Sequence, residues 1–245
     1  AWPLDEAAAK AIQASLAGFS GLSVRIEALP LADWVAISRA GLPPIAVGRF
    51  LILAEEARAP ANRIALTVEA GLAFGTGHHA STRLCLRAFE AELRRHGPPK
   101  SVLDLGTGTG ILAMAAARAG ARRVLASDID PEAVRVARAN ARANRARVRV
   151  HLAHGERHPV IGKAARYDLL FANILSGPLV RLAPRAAPLI AKGGLAILSG
   201  LLAGQTREVL APWRAMGLRL RRRLAEGAWR CLVMEKVGPF PRSSL

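Results

Sequence analysis

Between Ser101 and Lys236 short apolar runs alternate with Ala-rich amphipathic stretches, and that alternation admits few folds. Ser101–Leu105 is an apolar run of strand length, followed by a glycine-rich turn and an Ala-rich helix over 111–119. A second strand, 123–127, ends at Asp128, and 131–144 reads as a helix that opens on Pro131, where a missing N–H is harmless. Val148–Leu152 is a third strand and 167–172 a fourth, with a helical stretch after it to Ala187. A fifth strand at 195–199 precedes a helix over 205–215. The pattern then changes: 218–225 and Trp229–Lys236 flank Glu226-Gly227 and should form an antiparallel hairpin. Strand–helix alternation of this kind implies a parallel sheet covered on both faces.

The first hundred residues are less regular. Residues 6–17 read as one helix closed by Gly18, and 23–29 as a short strand. Pro30, Asp33-Trp34 and Gly41-Leu42-Pro43-Pro44 look like a connector. Strand-like runs at 49–54 and 63–69 follow, separated by a turn at Pro60. The expected organisation is a short N-terminal segment over 1–40, too small for a robust core of its own, a linker over 41–60, and a catalytic domain over 61–245.

Of the 35 basic residues 30 are Arg, against 18 acidic ones, for a net charge of +17. The skew has two readings, a compositional bias or an acidic or nucleic-acid partner. Runs such as 142–149 and 221–223 are usually solvated faces. A single Tyr and 4% aromatics leave little for a base-stacking platform. Two distant cysteines, Cys85 and Cys231, argue for reduced thiols and a cytoplasmic setting. No apolar stretch reaches membrane-spanning length, and acids at Asp5 and Glu6 are unlike a secretory signal, so no membrane partner is expected.

Three clusters carry chemistry. Asp104-Leu105-Gly106-Thr107-Gly108-Thr109-Gly110 links a strand to a helix, the place where a nucleotide binds in such sheets. Its glycine spacing is tighter than the dinucleotide fingerprint, which suits a ligand without a pyrophosphate. Asp104 could hold an ammonium group, as S-adenosylmethionine carries. Asp128, 22 residues after Gly106, is placed to accept hydrogen bonds from ribose hydroxyls, unless it only caps the next helix. The second cluster, 73–86, contains Phe74-Gly75-Thr76-Gly77-His78-His79 and Ser81-Thr82, which could cap a following helix. The adjacent histidines have no carboxylate or Cys at metal-ligand spacing, so no metal is expected. In the third, Asn173 follows a run of apolar strand residues, either as a site residue or as a helix cap.

Together these segments resemble the PrmA family of ribosomal protein methyltransferases, which act on the eleventh protein of the large subunit. The resemblance covers about residues 33–236 and is most specific over 73–86. It implies a Rossmann-like α/β fold of class I with a seven-stranded sheet, S-adenosylmethionine as cofactor and a ribosomal protein as substrate. It places Thr82, Gly106, Asp128 and Asn173 against the cofactor, with Phe74, Gly75, Asp104 and Gly108 beside them. Asn173 is also the expected catalytic residue, and His79 the nearby candidate for proton handling. Ser81 stands where the family usually has Thr. The family's ferredoxin-like recognition domain is represented here by about one helix and one strand, so the N-terminal segment reads as shortened. Relatives that methylate planar groups carry Asn-Pro-Pro-aromatic where this chain has Asn173-Ile174-Leu175-Ser176, which favours an aliphatic amine, α-amine or lysine. A monomer is expected, with RNA contact open. The rival readings are a lysine methyltransferase of another protein and a non-catalytic, Arg-rich RNA-binding module on the same fold.

Overall fold

The computed structural model describes residues 43–53, 60, 62–68, 79–154, 158–162 and 166–237, together with Ala11 and residues 14–16. The chain divides into two compact units, Ala1–Ile37 and Ser38–Leu245. In the first, the described residues are helical, and Ser15 Oγ donates to the Ala11 carbonyl. The strand expected over 23–29 lies outside the described residues.

The second unit opens with strands β1 (Ile45–Val47), β2 (Phe50–Leu53) and β3 (Ile64–Thr67) in one small sheet. β1 and β2 are antiparallel, whereas β2 and β3 run parallel. The linker expected over 41–60 therefore needs correction, because 45–53 is paired strand whose Val47, Phe50 and Ile52 are buried in the main core. The Phe50 ring stacks on Phe89 of helix α1 (Ala80–His96), at a centroid distance of 5.9 Å. Apolar side chains on such short strands gain more from this burial than the pairing alone could supply.

The main sheet has seven strands in the order β6-β5-β4-β7-β8-β10-β9. β4 (Ser101–Leu105), β5 (Arg123–Asp128), β6 (Val148–Leu152), β7 (Tyr167–Asn173) and β8 (Ile190–Leu202) are parallel. β9 (Leu218–Glu226) and β10 (Trp229–Lys236) form the expected hairpin, with β10 inserted antiparallel beside β8. Helices α2 (Ile111–Arg118), α3 (Pro131–Ala143), α4 (Pro159–Gly162), α5 (Ser176–Ala186) and α6 (Thr206–Ala215) complete the described unit. All five β4 residues are buried, as a central strand between two helical layers requires. The two apolar clusters lie on opposite faces of this sheet. One holds Met114, Phe89 and Phe171, the other Trp213, Tyr167 and Leu170.

β8 is much longer than its expected 195–199. It begins at Ile190 and continues to Leu202, three residues past the Ser199 that pairs with Asn173. Both cysteines are free and buried, and burial first of all pushes the Cys85 thiol well above the usual range. Among the described residues no helix is long and apolar enough to cross a membrane.

Candidate methyl-transfer site

The chain runs outward from β4 through β5 to β6, then returns to β7 on the other side of β4. The strand order thus reverses between β4 and β7, the switch point beyond whose carboxyl ends such sheets hold a ligand crevice. Gly106 leaves β4 and Ile174 leaves β7 at this point, and they are in close contact. A Cβ added to Gly106, whose φ is +70°, would lie 2.4 Å from Ile174 Cγ2. Gly106 and Thr107 donate N–H bonds to the Ser127 carbonyl at 2.9 and 3.0 Å, which holds the glycine turn over the end of β5. Gly110, at φ +84°, lets the start of α2 approach α3; an added Cβ would meet Ala137 Cβ at 3.2 Å.

Two acids flank the turn and differ in environment. Asp104 is almost fully buried; its Oδ2 accepts from Thr107 Oγ1 at 2.6 Å and from the Ala113 N–H at 3.2 Å. Its Oδ1 is buried without a partner. Burial raises the carboxyl pKa to about 7 against those two hydrogen bonds, with the nearby Asp128 adding to the rise. Asp128 is half-buried, and its Oδ2 accepts from the Gly108 N–H at 2.8 Å. Its Oδ1 accepts from the Asp130 N–H at 3.1 Å. Each oxygen keeps acceptor capacity. The helix-cap reading of Asp128 fails, since the cap of α3 is Asp130, which accepts from the Glu132 N–H.

On the other side of the crevice Asn173 Nδ2 donates to Thr82 Oγ1 at 3.2 Å. This fixes the carboxamide, and its Oδ1 is left buried and unpartnered. The cap of α5 is Leu175, so Asn173 is not a helix cap either. Ser81 and Thr82 are not caps as expected, but fully buried residues in the first turn of α1. The cap is His79, whose Nδ1 accepts from the Ser81 N–H at 3.3 Å and lies 2.7 Å from Ser81 Oγ. Burial, then the Arg83 charge, lowers the pKa of His79. Phe74 and Gly75 lie outside the described residues.

Sequence reasoning missed three features around this edge. Arg83 and Arg87 of α1 both bind Glu226 at the hairpin turn, which anchors the helix that carries Thr82. The Trp229 ring meets His79 edge-on at 4.4 Å between centroids. Gly200 has φ +85°, and an added Cβ would lie 2.4 Å from the Ile174 carbonyl oxygen. A lone glycine inside a strand is a signal of close backbone approach and could have flagged Gly200.

The arrangement fits S-adenosylmethionine on the chain's own geometry. Two orphaned acceptors, Asp104 Oδ1 and Asn173 Oδ1, and the open lone pairs of Asp128 are placed around a glycine turn at the switch point. Among the described residues no group of three His, Cys, Asp or Glu side chains could hold a metal ion.

The seven-stranded order with its inserted β10, the glycine turn after β4 and the acid ending β5 define a class I methyltransferase. The family model for "Ribosomal protein L11 methyltransferase (PrmA)" matches residues 4–237, and the chain belongs to that family. A ribosomal protein L11 methyltransferase of Rhodopseudomonas palustris is 44% identical over 233 residues, covering 93% of this chain and 79% of that protein. A crystal structure of a ribosomal protein L11 methylase from Lactobacillus delbrueckii subsp. bulgaricus superposes with a TM-score of 0.70 at 28% identity, covering 80% of this chain and 99% of that one. The N-methyltransferase NodS of Bradyrhizobium japonicum, solved with S-adenosyl-l-homocysteine, shares the fold at a TM-score of 0.53 and 14% identity, over 66% of this chain and 90% of its own.

The pKa of Asp104 has a sign that can be tested. Its folded value lies above its unfolded one, so the folded state holds a proton that the unfolded chain releases between about pH 4 and pH 7. This carboxyl therefore destabilises the protein progressively as pH rises through that window. Asp104→Asn keeps an acceptor and removes the charge. The melting temperature of the wild type, relative to this variant without cofactor, is expected to fall from pH 4 to pH 7 and then level off. A difference that is flat or rises with pH would contradict the buried, proton-holding state.

Proposed function

We infer that this protein transfers methyl groups from S-adenosylmethionine to amino groups, α-amine or lysine, of ribosomal protein L11. The observation that carries the amine assignment is the buried, unpartnered Oδ1 of Asn173 at the switch point, held in place by Thr82. The cofactor supplies an electrophilic methyl on a sulfonium, so the protein must supply position and a neutral nitrogen. Asp128 receives the ribose, Gly106 and Gly108 let the backbone come close, and Asp104 faces the cofactor's ammonium directly or through water.

A carboxamide takes no proton, but its oxygen accepts a hydrogen bond from the target N–H and aims the nitrogen lone pair. An α-amine with a pKa near 8 is neutral about one time in five near pH 7.4, whereas a free Lys is neutral about one time in a thousand. A lysine target therefore needs more help in losing its proton. His79 is poorly arranged for that task. Its Nδ1 accepts from a backbone N–H, so the neutral ring carries its proton on Nε2 and is a donor there. Water takes the proton in this reading. The non-catalytic alternative is not favoured, because Thr82, Gly106, Asp128 and Asn173 are all present and each holds a polar contact.

The decisive experiment is mass spectrometry of L11 incubated with the protein and isotopically labelled cofactor. Mass increments of whole methyl groups, mapped by fragmentation to amino groups, are expected. Unmodified L11 in the presence of a protein that binds cofactor would overturn the substrate assignment. For the cofactor half of the site, Asp128→Ala should weaken adenosylhomocysteine binding by about 1.5–3 kcal/mol, measured by calorimetry. A change below about twofold, or roughly 0.4 kcal/mol, would remove Asp128 from the site.

A further inference from the structure

Between Ala133 and Gly155 the sequence holds six arginines, Arg135, Arg138, Arg142, Arg145, Arg147 and Arg149, and no acid. All six are exposed. Arg135, Arg138, Arg142 and Arg145 recur at intervals of three and four residues, which makes one stripe along α3 and its C-terminal turn. Arg147 leads into the edge strand β6 beside that stripe. Helix and strand together enclose a groove of about 460 Å³ lined by Arg138, Arg142, Arg145 and Arg147, with a floor that includes Val148 and Val150.

Within the stripe Arg135 pairs with Glu132, and several arginines elsewhere are also matched to acids. Arg219 and Arg221 share Glu235, and Arg83 and Arg87 share Glu226. In the groove, Arg138 is fixed by two hydrogen bonds to the Val150 carbonyl, at 2.8 and 3.2 Å. Arg142, Arg145 and Arg147 pair with no carboxylate among the described residues. Arg145 even holds a left-handed backbone, φ +50°, where a helix end favours Gly. The field is felt nearby: burial first, then the charges of His158, Arg138 and Arg149, lowers the pKa of His151.

We propose that this groove binds the phosphate backbone of RNA. Guanidinium forks match phosphate oxygens bidentately. Protein partners are usually held by buried aromatic and apolar anchors, and the groove offers none that projects from its surface. Without aromatic rings it cannot stack bases, so the contact reads backbone and not sequence. The choice of RNA over DNA rests on the substrate reading, a ribosomal protein. The stripe runs along α3 away from the Asp128 edge, so RNA held there leaves the cofactor crevice open.

The test uses the full chain and a labelled RNA duplex, with anisotropy titrations over a series of KCl concentrations. Combined Arg142→Gln, Arg145→Gln and Arg147→Gln substitutions should weaken binding about tenfold or more near 0.1 M salt and reduce the slope of log K against log salt by about 2. The matching triple Lys variant should retain most of the affinity. The Gln variant should keep the melting shift caused by adenosylhomocysteine and its methylation of free L11. Unchanged RNA affinity in the Gln variant would overturn the proposal. So would polyglutamate, anionic vesicles or a DNA duplex of the same sequence binding the wild type as tightly as the RNA. If the wild type methylates free L11 but ignores RNA, this inference fails alone and the substrate reading stands.

Discussion

Asn173→Ala is expected to lower methyl transfer by about 10²–10³-fold, on the scale of losing one preorganised polar group at a reacting centre. Cofactor affinity should change far less. The reason lies in how the carboxamide is held. Nδ2 is committed to Thr82, and Oδ1 is buried with nothing to accept. A buried acceptor without a partner is unfavourable in the resting protein, by about 1–3 kcal/mol, and that penalty is relieved when a target N–H arrives. Relief that comes only with the reacting amine lowers the barrier and not merely the Michaelis constant. Single-turnover rates and calorimetric cofactor affinities, measured on the same preparations, separate the two. Thr82→Val gives an independent check. It frees Nδ2 and lets the carboxamide turn, so it should reproduce part of the rate loss while Asn173 remains. Equal losses of rate and cofactor affinity in Asn173→Ala would make the residue a cofactor ligand only, and no loss in either would leave it without a role.

The parts of this fold legible in the sequence are those where one physical signal dominates. β4 and the middle of β5 are mainly apolar because helices cover both faces, and the start of α3 is marked by Pro131 at its first position. Asp104, Gly106, Asp128 and Asn173 stand out in the sequence as site candidates for a related reason. Each is a polar or conformationally special residue in or just after a buried strand. β1 was not legible, because three residues carry too little periodicity; β2 was read as a strand-like run, but its place in the core is set by the Phe50–Phe89 contact. The cap of α1 was misassigned for a subtler reason. Ser81 and Thr82 have strong cap propensity, but both side chains are buried, and His79 takes the position two residues earlier. Local preference yielded there to the need to bring Thr82 Oγ1 to Asn173 across 91 positions of sequence.

Gly200→Ala should show how tightly the two halves of the crevice are coupled. The Cβ it introduces would lie 2.4 Å from the Ile174 oxygen, 2.8 Å from its carbonyl carbon and 3.0 Å from its nitrogen. These are backbone atoms, so no rotamer change relieves the clash. Ala at φ +85° adds a left-handed penalty of about 1–2 kcal/mol. The expected loss of stability is about 2–4 kcal/mol in all, a fall in melting temperature of roughly 5–15 °C for a domain of this size. Activity should fall further than stability explains at temperatures where the variant is folded, because moving Ile174 displaces both the neighbouring Asn173 and the packing on Gly106. Two variants separate strain from coupling. Gly193 also has a positive φ, +77°, but an added Cβ there meets nothing within 4 Å, so Gly193→Ala should lose only about 1–2 kcal/mol and keep its turnover. Gly106→Ala clashes with the Ile174 side chain, and Ile174→Ala should therefore rescue part of its cofactor affinity. The same second substitution cannot rescue Gly200→Ala, where the obstacle is the main chain. Rescue of both by Ile174→Ala would mean that only side-chain packing links the glycine turn to Asn173, and full activity in Gly200→Ala would mean that they are not linked at all.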